Sequence, residues 1–167
     1  MNIVDELVHH DCPVCSGTEY SIYLPDTLKG DRPVFGYKWT EEVKRSYRYI
    51  RCRTCGHIYA SPTHKNIYSF YEDVADEGYK DNSEIRRATS VVVLKHIQKQ
   101  VPSGSLLDVG CATGDFLSAA TKFYAAEGIE LSEWALQSSL DKGLTVSNKT
   151  IEQLAKTKKK FDVITLW

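Results

Sequence analysis

From residue 105 onward the chain alternates short apolar runs with segments whose apolar residues recur at helical spacing. This pattern predicts strands at Ser105–Val109, Ala126–Leu131, Leu144–Ser147 and Phe161–Trp167. Between them it predicts helices at Asp115–Phe123, Glu133–Lys142 and Ile151–Lys156. Strands separated by helices of this length imply an α/β fold with a parallel sheet and right-handed crossovers. The lysine run Lys156–Lys160 reads as a solvated helix end ahead of a buried strand.

Residues 63–103 have a different texture and read as a helical linker. Asn66–Glu72 is short and aromatic, and Gly78 breaks it. Ser83 is the expected N-cap of a longer helix, with Glu84 in its first turn and Ile85, Ala88, Val92, Leu94 and Ile97 near one face. Pro102-Ser103-Gly104 ends that helix. Residues 1–62 hold four of the five cysteines and read as a small, loop-rich, β-leaning module closed by Pro62.

Composition narrows the function without naming it. Of 167 residues, 21 are basic and 22 acidic, so no whole-chain field draws the protein to nucleic acid or anionic lipid. Met1–Glu6 lacks the basic-then-apolar pattern of a signal peptide. No apolar run approaches the roughly 20 residues that span a bilayer. A cytoplasmic location is therefore expected, where paired cysteines hold metal more often than they form disulfides.

Cys12-Pro13-Val14-Cys15 and Cys52-Arg53-Thr54-Cys55 form two Cys-x-x-Cys knuckles. Two such turns can present four thiolates to one ion, and a tetrahedral sulfur set suits zinc. Four thiolates leave no place for a reactive water, so the expected role is structural, with metal binding driving the module's folding. His57 reads as a neighbour of the second knuckle, and His9, His10 and His64 as solvated. Between the knuckles runs Lys44-Arg45-Ser46-Tyr47-Arg48-Tyr49-Ile50-Arg51. On a strand, Arg45, Arg51 and both tyrosines would share one face. That face either grips single-stranded RNA or is a hairpin surface with snorkelling side chains.

The densest chemical signal is Leu107-Asp108-Val109-Gly110-Cys111-Ala112-Thr113-Gly114-Asp115. An apolar strand ends in a glycine-bearing turn and runs straight into a helix, which lets the backbone approach a ligand closely. Glu130 ends the next strand, 20 residues after Gly110, where a carboxylate can accept both hydroxyls of a ribose. Cys111 reads as a small filler beneath the ligand. The rival nicotinamide pattern places a glycine where this chain has Asp115, whose charge would repel a pyrophosphate.

Leu107–Gly114, then Gly128-Ile129-Glu130-Leu131-Ser132, then Phe161–Trp167 resemble successive motifs of the class I S-adenosylmethionine-dependent methyltransferases. The resemblance spans about residue 104 to the end. It implies a Rossmann-like sheet in the order 3-2-1-4, behind a zinc-ribbon-like module. It also implies that Asp108, Gly110, Cys111, Ala112 and Gly114 border the methionine and ribose of the donor. Glu130 would hold the ribose, Leu131 would flank the adenine, and Thr150 and Ile151 would lie at its edge. Ala112 stands where the family has a glycine, at small cost if its φ is negative and larger cost if it is positive. No general base is identified, and Asp162 reads as structural.

Related proteins join a cysteine segment to this domain in gene clusters for sugars and other small metabolites, so a small-molecule methyl acceptor is expected. There Phe70, Tyr71, Tyr79 and Arg86 would lie in the lead-in to the active site. The chain ends inside or at the end of its fourth strand, which reads as a truncated domain expected to have little activity alone. An RNA methyltransferase and a non-catalytic zinc-binding adaptor remain as alternatives.

Overall fold

The computed structural model describes residues 6–35, 41 and 43–166, so Trp167 of the expected last strand lies outside the described residues. The chain divides into two compact units, Met1–Phe70 and Tyr71–Trp167.

In the first unit β1 (Leu7–Val8) pairs antiparallel with β5 (Thr63–His64). A second antiparallel sheet has the order β2-β3-β4, from Tyr20–Leu24, Tyr49–Cys52 and Ile58–Ala60. Its apolar interior is small: Ile50, Cys12, Cys52, Leu28 and Tyr47 are buried. The expected strand alternation does not extend through Lys44–Arg48. Strand β3 starts at Tyr49, and Tyr47 turns inward to share a 2.6 Å hydrogen bond with His64 Nδ1. His64 is therefore buried rather than solvated, with Phe70 edge-on against its ring. His10 meets the Thr63 hydroxyl through Nε2 at 2.7 Å, and His57 stacks on Tyr59.

Helix α1 (Ser69–Glu72) carries the chain into the second unit. A 3-10 turn, Glu77–Asn82, leads into α2 (Ser83–Gln98). Ser83 is the first helical residue rather than the cap; Asn82 holds the cap position, and the Ser83 hydroxyl donates to Asp115 Oδ1 at 2.6 Å. The inward face of α2 is also rotated from the expected one. Ser90 and Leu94 are buried while Ile85, Ala88 and Val92 are exposed. Arg86 occupies the inner face because a buried carboxylate there offers it a charged partner.

The sheet of the second unit comprises β6 (Ser105–Val109), β7 (Ala125–Ile129), β8 (Val146–Ser147) and β9 (Val163–Leu166). All are parallel, in the order β8-β7-β6-β9, which is the expected 3-2-1-4. Adjacent residues of β6 point to opposite faces. Leu106 packs with Leu94 of α2 and with Phe116, Ala119 and Ala120 of α3 (Asp115–Ala120). Leu107 packs on the other side with Ile129 and with Leu154 of α5 (Ile151–Ala155). Helix α4 (Glu133–Leu140) links β7 to β8. Asp162 latches the start of β6, accepting the Ser105 N–H and hydroxyl at 2.8 Å each. No described helix is long and apolar enough to cross a membrane.

Candidate functional site

Strand β6 delivers Asp108 and the glycine turn to one end of the sheet, and β7 delivers Glu130 beside them. The turn folds back on its neighbour: the Gly110 and Cys111 N–H groups donate to Ile129 O at 2.8 and 3.1 Å. Positive φ angles alternate through it, 69° at Gly110, 47° at Ala112 and 76° at Gly114. Glycine adopts this left-handed geometry freely, whereas a side chain costs about 1 kcal/mol or more there. Ala112 therefore carries the larger of the two costs the sequence left open. Gly114 has a further constraint, since a Cβ there would lie 2.4 Å from Leu144 Cδ1.

Two buried carboxylates flank the turn. Glu130, 5% exposed, accepts the Ala112 N–H on Oε2 at 2.8 Å. Its Oε1 accepts the Leu131 and Ser132 N–H groups at 2.8 and 2.9 Å. Asp108, 1% exposed, accepts the Thr165 hydroxyl on Oδ1 at 2.8 Å. Its Oδ2 is buried with no hydrogen-bond partner. Burial, opposed by the Thr165 hydroxyl and reinforced by the Glu130 charge, raises the Asp108 carboxyl to about 6. An orphaned buried carboxylate oxygen is costly and points to a cationic or hydrogen-donating ligand group.

Cys111 is buried against Gly128, where an added Cβ would come within 2.6 Å of the sulfur. Burial first, then the charges of Asp108 and Glu130, push its thiol far up, so it offers no thiolate nucleophile. Leu131 is half-buried beside Glu130. Thr150 and Ile151 follow β8 near the same end of the sheet. The Thr150 hydroxyl and backbone are taken up in a capping box with Gln153, and Ile151 is exposed.

In the first unit the sulfurs of Cys12, Cys15, Cys52 and Cys55 all lie within 4.8 Å of one another. Cys12–Cys55 and Cys15–Cys52 are separated by 3.5 and 3.6 Å. A tetrahedral ion with metal–sulfur bonds of about 2.3 Å requires sulfurs about 3.8 Å apart, so the cluster fits such an ion. The Cys55 and Thr54 N–H groups donate to the Cys52 sulfur and hold that thiol down at about 6 despite burial. Gly17 leaves the knuckle open, because a Cβ there would lie 2.9 Å from Thr54 Oγ1 and 3.2 Å from Cys52 Sγ. The four cysteines are thus positioned to bind a metal.

Residues 81–167, just over half of the chain, match the methyltransferase domain family. The chain belongs to that family. No curated protein matches it at a significant level. The methyltransferase domain match begins at Asp81, just ahead of α2, and takes in the turn, both carboxylates and the whole parallel sheet.

Within this methyltransferase domain the structure changes the reading of Asp115. Its carboxylate points back to α2, where Arg86 Nε donates at 2.9 Å and the second Arg86 nitrogen lies at 2.8 Å. Lys142 reaches it at 3.3 Å. Burial opposes ionisation, but Ser83, Lys142 and Arg86 outweigh it and hold the group below the usual carboxylate range. The charge expected to repel a pyrophosphate is therefore neutralised internally, and the family assignment rests on the motifs and the match instead.

Sequence reading missed three residues of α4 and its C-terminal turn. Ser132 caps the helix, its hydroxyl accepting the Ala135 N–H and donating to Val74 O at 2.6 Å. Ser139 donates to Ala112 O at 2.9 Å, and Lys142 to Thr113 O at 2.5 Å. Serines and lysines in a half-exposed helix carry no periodic signal, and only the fold places them against the turn.

Proposed function

We propose that the protein binds S-adenosylmethionine at the β6–β7 end of its sheet and serves methyl transfer to a small-molecule acceptor, such as a sugar or another secondary or cell-surface metabolite, in the cytoplasm. The observation that carries the reading is the orphaned Asp108 Oδ2 beside a glycine turn bolted to Glu130. The donor's α-ammonium suits Asp108 Oδ2, which lacks a positive partner. Its ribose hydroxyls suit Glu130, whose carboxylate retains acceptor capacity beyond three N–H bonds. Gly110, Cys111, Ala112 and Gly114 border the methionine and ribose, while Leu131, Thr150 and Ile151 lie on the adenine side.

When bound, the donor supplies an electrophilic methyl on a sulfonium. The chain's own residues bind and orient it and keep water from it. No residue is assigned as a base. Zinc on Cys12, Cys15, Cys52 and Cys55 is the proposed structural ion, with its sphere closed by sulfur.

A small acceptor is favoured over RNA because the arginines between the knuckles have internal partners. Arg45 pairs with Asp31, Arg48 donates to Ser61 O at 3.0 Å, and Arg51 lies over Tyr23 at 4.9 Å. The test is calorimetric titration of S-adenosylhomocysteine into zinc-loaded protein, with Glu130→Ala as control. Micromolar binding abolished in Glu130→Ala is expected. A folded wild-type sample that takes up no ligand would sink the donor reading and favour an adaptor.

A further inference from the structure

The carbonyls at the tip of the glycine turn are held from α4 and the residues that follow it. Ser139, fully buried, donates to Ala112 O, and Lys142 donates to Thr113 O while also facing Asp115. Leu144 and Ser139 fill the space a Cβ on Gly114 would need. The N–H and C=O of one peptide unit point in opposite directions. Drawing Ala112 O toward α4 therefore turns the Thr113 N–H to the other side. Drawing Thr113 O toward Lys142 likewise orients the Gly114 N–H, which donates to Cys111 O at 2.9 Å. The two bonds are made to the carbonyl of the one non-glycine left-handed residue of the turn, Ala112 at φ 47°, and to that of the residue after it.

We infer that Ser139 and Lys142 are positioning residues that hold the turn in its ligand-receiving shape against the conformational preference of Ala112. Without them Ala112 relaxes to negative φ and the Ala112 N–H leaves Glu130. The role follows from the turn's geometry alone; its consequence for donor affinity rests on the function proposed above. It also predicts a specific rescue. Once residue 112 is glycine, the left-handed shape no longer opposes the residue's own preference, and the brace matters less.

The test is residue-resolved amide hydrogen exchange on the zinc-loaded full chain, with no donor present. Ser139→Ala is expected to speed exchange at Ala112 and Gly114 about tenfold, leaving Leu106–Val109 protected. In the Ala112→Gly background the same change is expected to speed exchange at residues 112 and 114 less than about threefold. Lys142→Met, on a partly exposed side chain, is expected to act in the same direction at Gly114, and it decides the matter if Ser139→Ala loses the β6 protection. S-adenosylhomocysteine affinity is expected to follow, falling about tenfold in Ser139→Ala and recovering in the double variant. Unchanged exchange at the turn, or an equal increase in both backgrounds, would overturn the inference. A wild type that binds no S-adenosylhomocysteine, with the exchange pattern as expected, would remove the donor reading and leave the brace standing.

Discussion

The two units of this chain hold their shapes by different means. Among its described residues the first unit has short strands and few buried apolar side chains, and of its most buried strand residues, Ile50 and Cys52, one belongs to the sulfur cluster. Strand β2 is exposed along its whole length. The second unit has a sheet with apolar packing on both faces, from Leu94 and Phe116 on one side to Leu107 and Leu154 on the other. A small module without a sizeable core needs a cross-link or an ion, whereas a layered α/β unit supplies its own stability and can carry strain in a loop. In the second unit the glycine turn carries such strain at Ala112, whose φ is 47°.

Removing the proposed zinc is the strongest way to break this comparison. Chelation, or Cys52→Ser, is expected to unfold the first unit, since a structural sulfur site contributes about 10–16 kcal/mol of apparent binding energy to folding. Amide protection of residues 20–24 and 49–52 should collapse while Leu106–Val109 stay protected. Persistence of protection in β3 after chelation would show that the small core suffices. Next in size is Gly114→Ala, which combines a φ of 76° with a 2.4 Å approach to Leu144. Denaturant unfolding should show a loss of about 2–4 kcal/mol confined to the second unit. A loss under about 1 kcal/mol would mean the turn is more yielding than its packing indicates.

Asp108 gives the third test, through pH. Its folded value is raised from 3.8 to about 6, so the protonated form is favoured in the fold. The stability this group lends is full below about pH 4 and is lost as pH rises through 6, a swing on the order of 3 kcal/mol. Asp108→Asn should therefore raise stability near neutrality by about 1–2 kcal/mol, less than the full swing because the amide is left unpaired, and change little at pH 4. Affinity for S-adenosylhomocysteine should fall as pH drops below 6 in the wild type. A flat pH profile would take the ammonium away from Asp108. The smallest effect is expected from Ala112→Gly, a gain of about 1 kcal/mol in the second unit from relief of the left-handed alanine. Equal thermal midpoints for the two proteins would mean that the strain is absorbed elsewhere.

The parallel sheet was legible because short strand-like runs alternate with segments of helical spacing, and its order was legible through the resemblance to the methyltransferase motifs. The paired knuckles were legible because their spacing is dictated by the ion. What escaped reading depended on partners far along the chain. Arg86 faces inward on α2 only because Asp115 lies buried 29 residues later, which rotates the helix and leaves Ile85 and Val92 outside. Ser83 was spent on the same carboxylate instead of the helix cap. His64 is buried by Tyr47, a pairing that local pattern cannot express.

The bond from the Ala112 N–H to Glu130 Oε2 has a consequence for how such a chain can drift. One carboxylate serves as both the bolt of the turn and the proposed seat of the ribose. Its loss would remove a proposed ligand contact and release the loop that shapes the rest of the proposed donor site. Glycine at residue 112 could ease the loop but could not replace the ribose contact, so change at residue 130 is expected to stay costly in either background, and two demands on one side chain leave that position little room to vary.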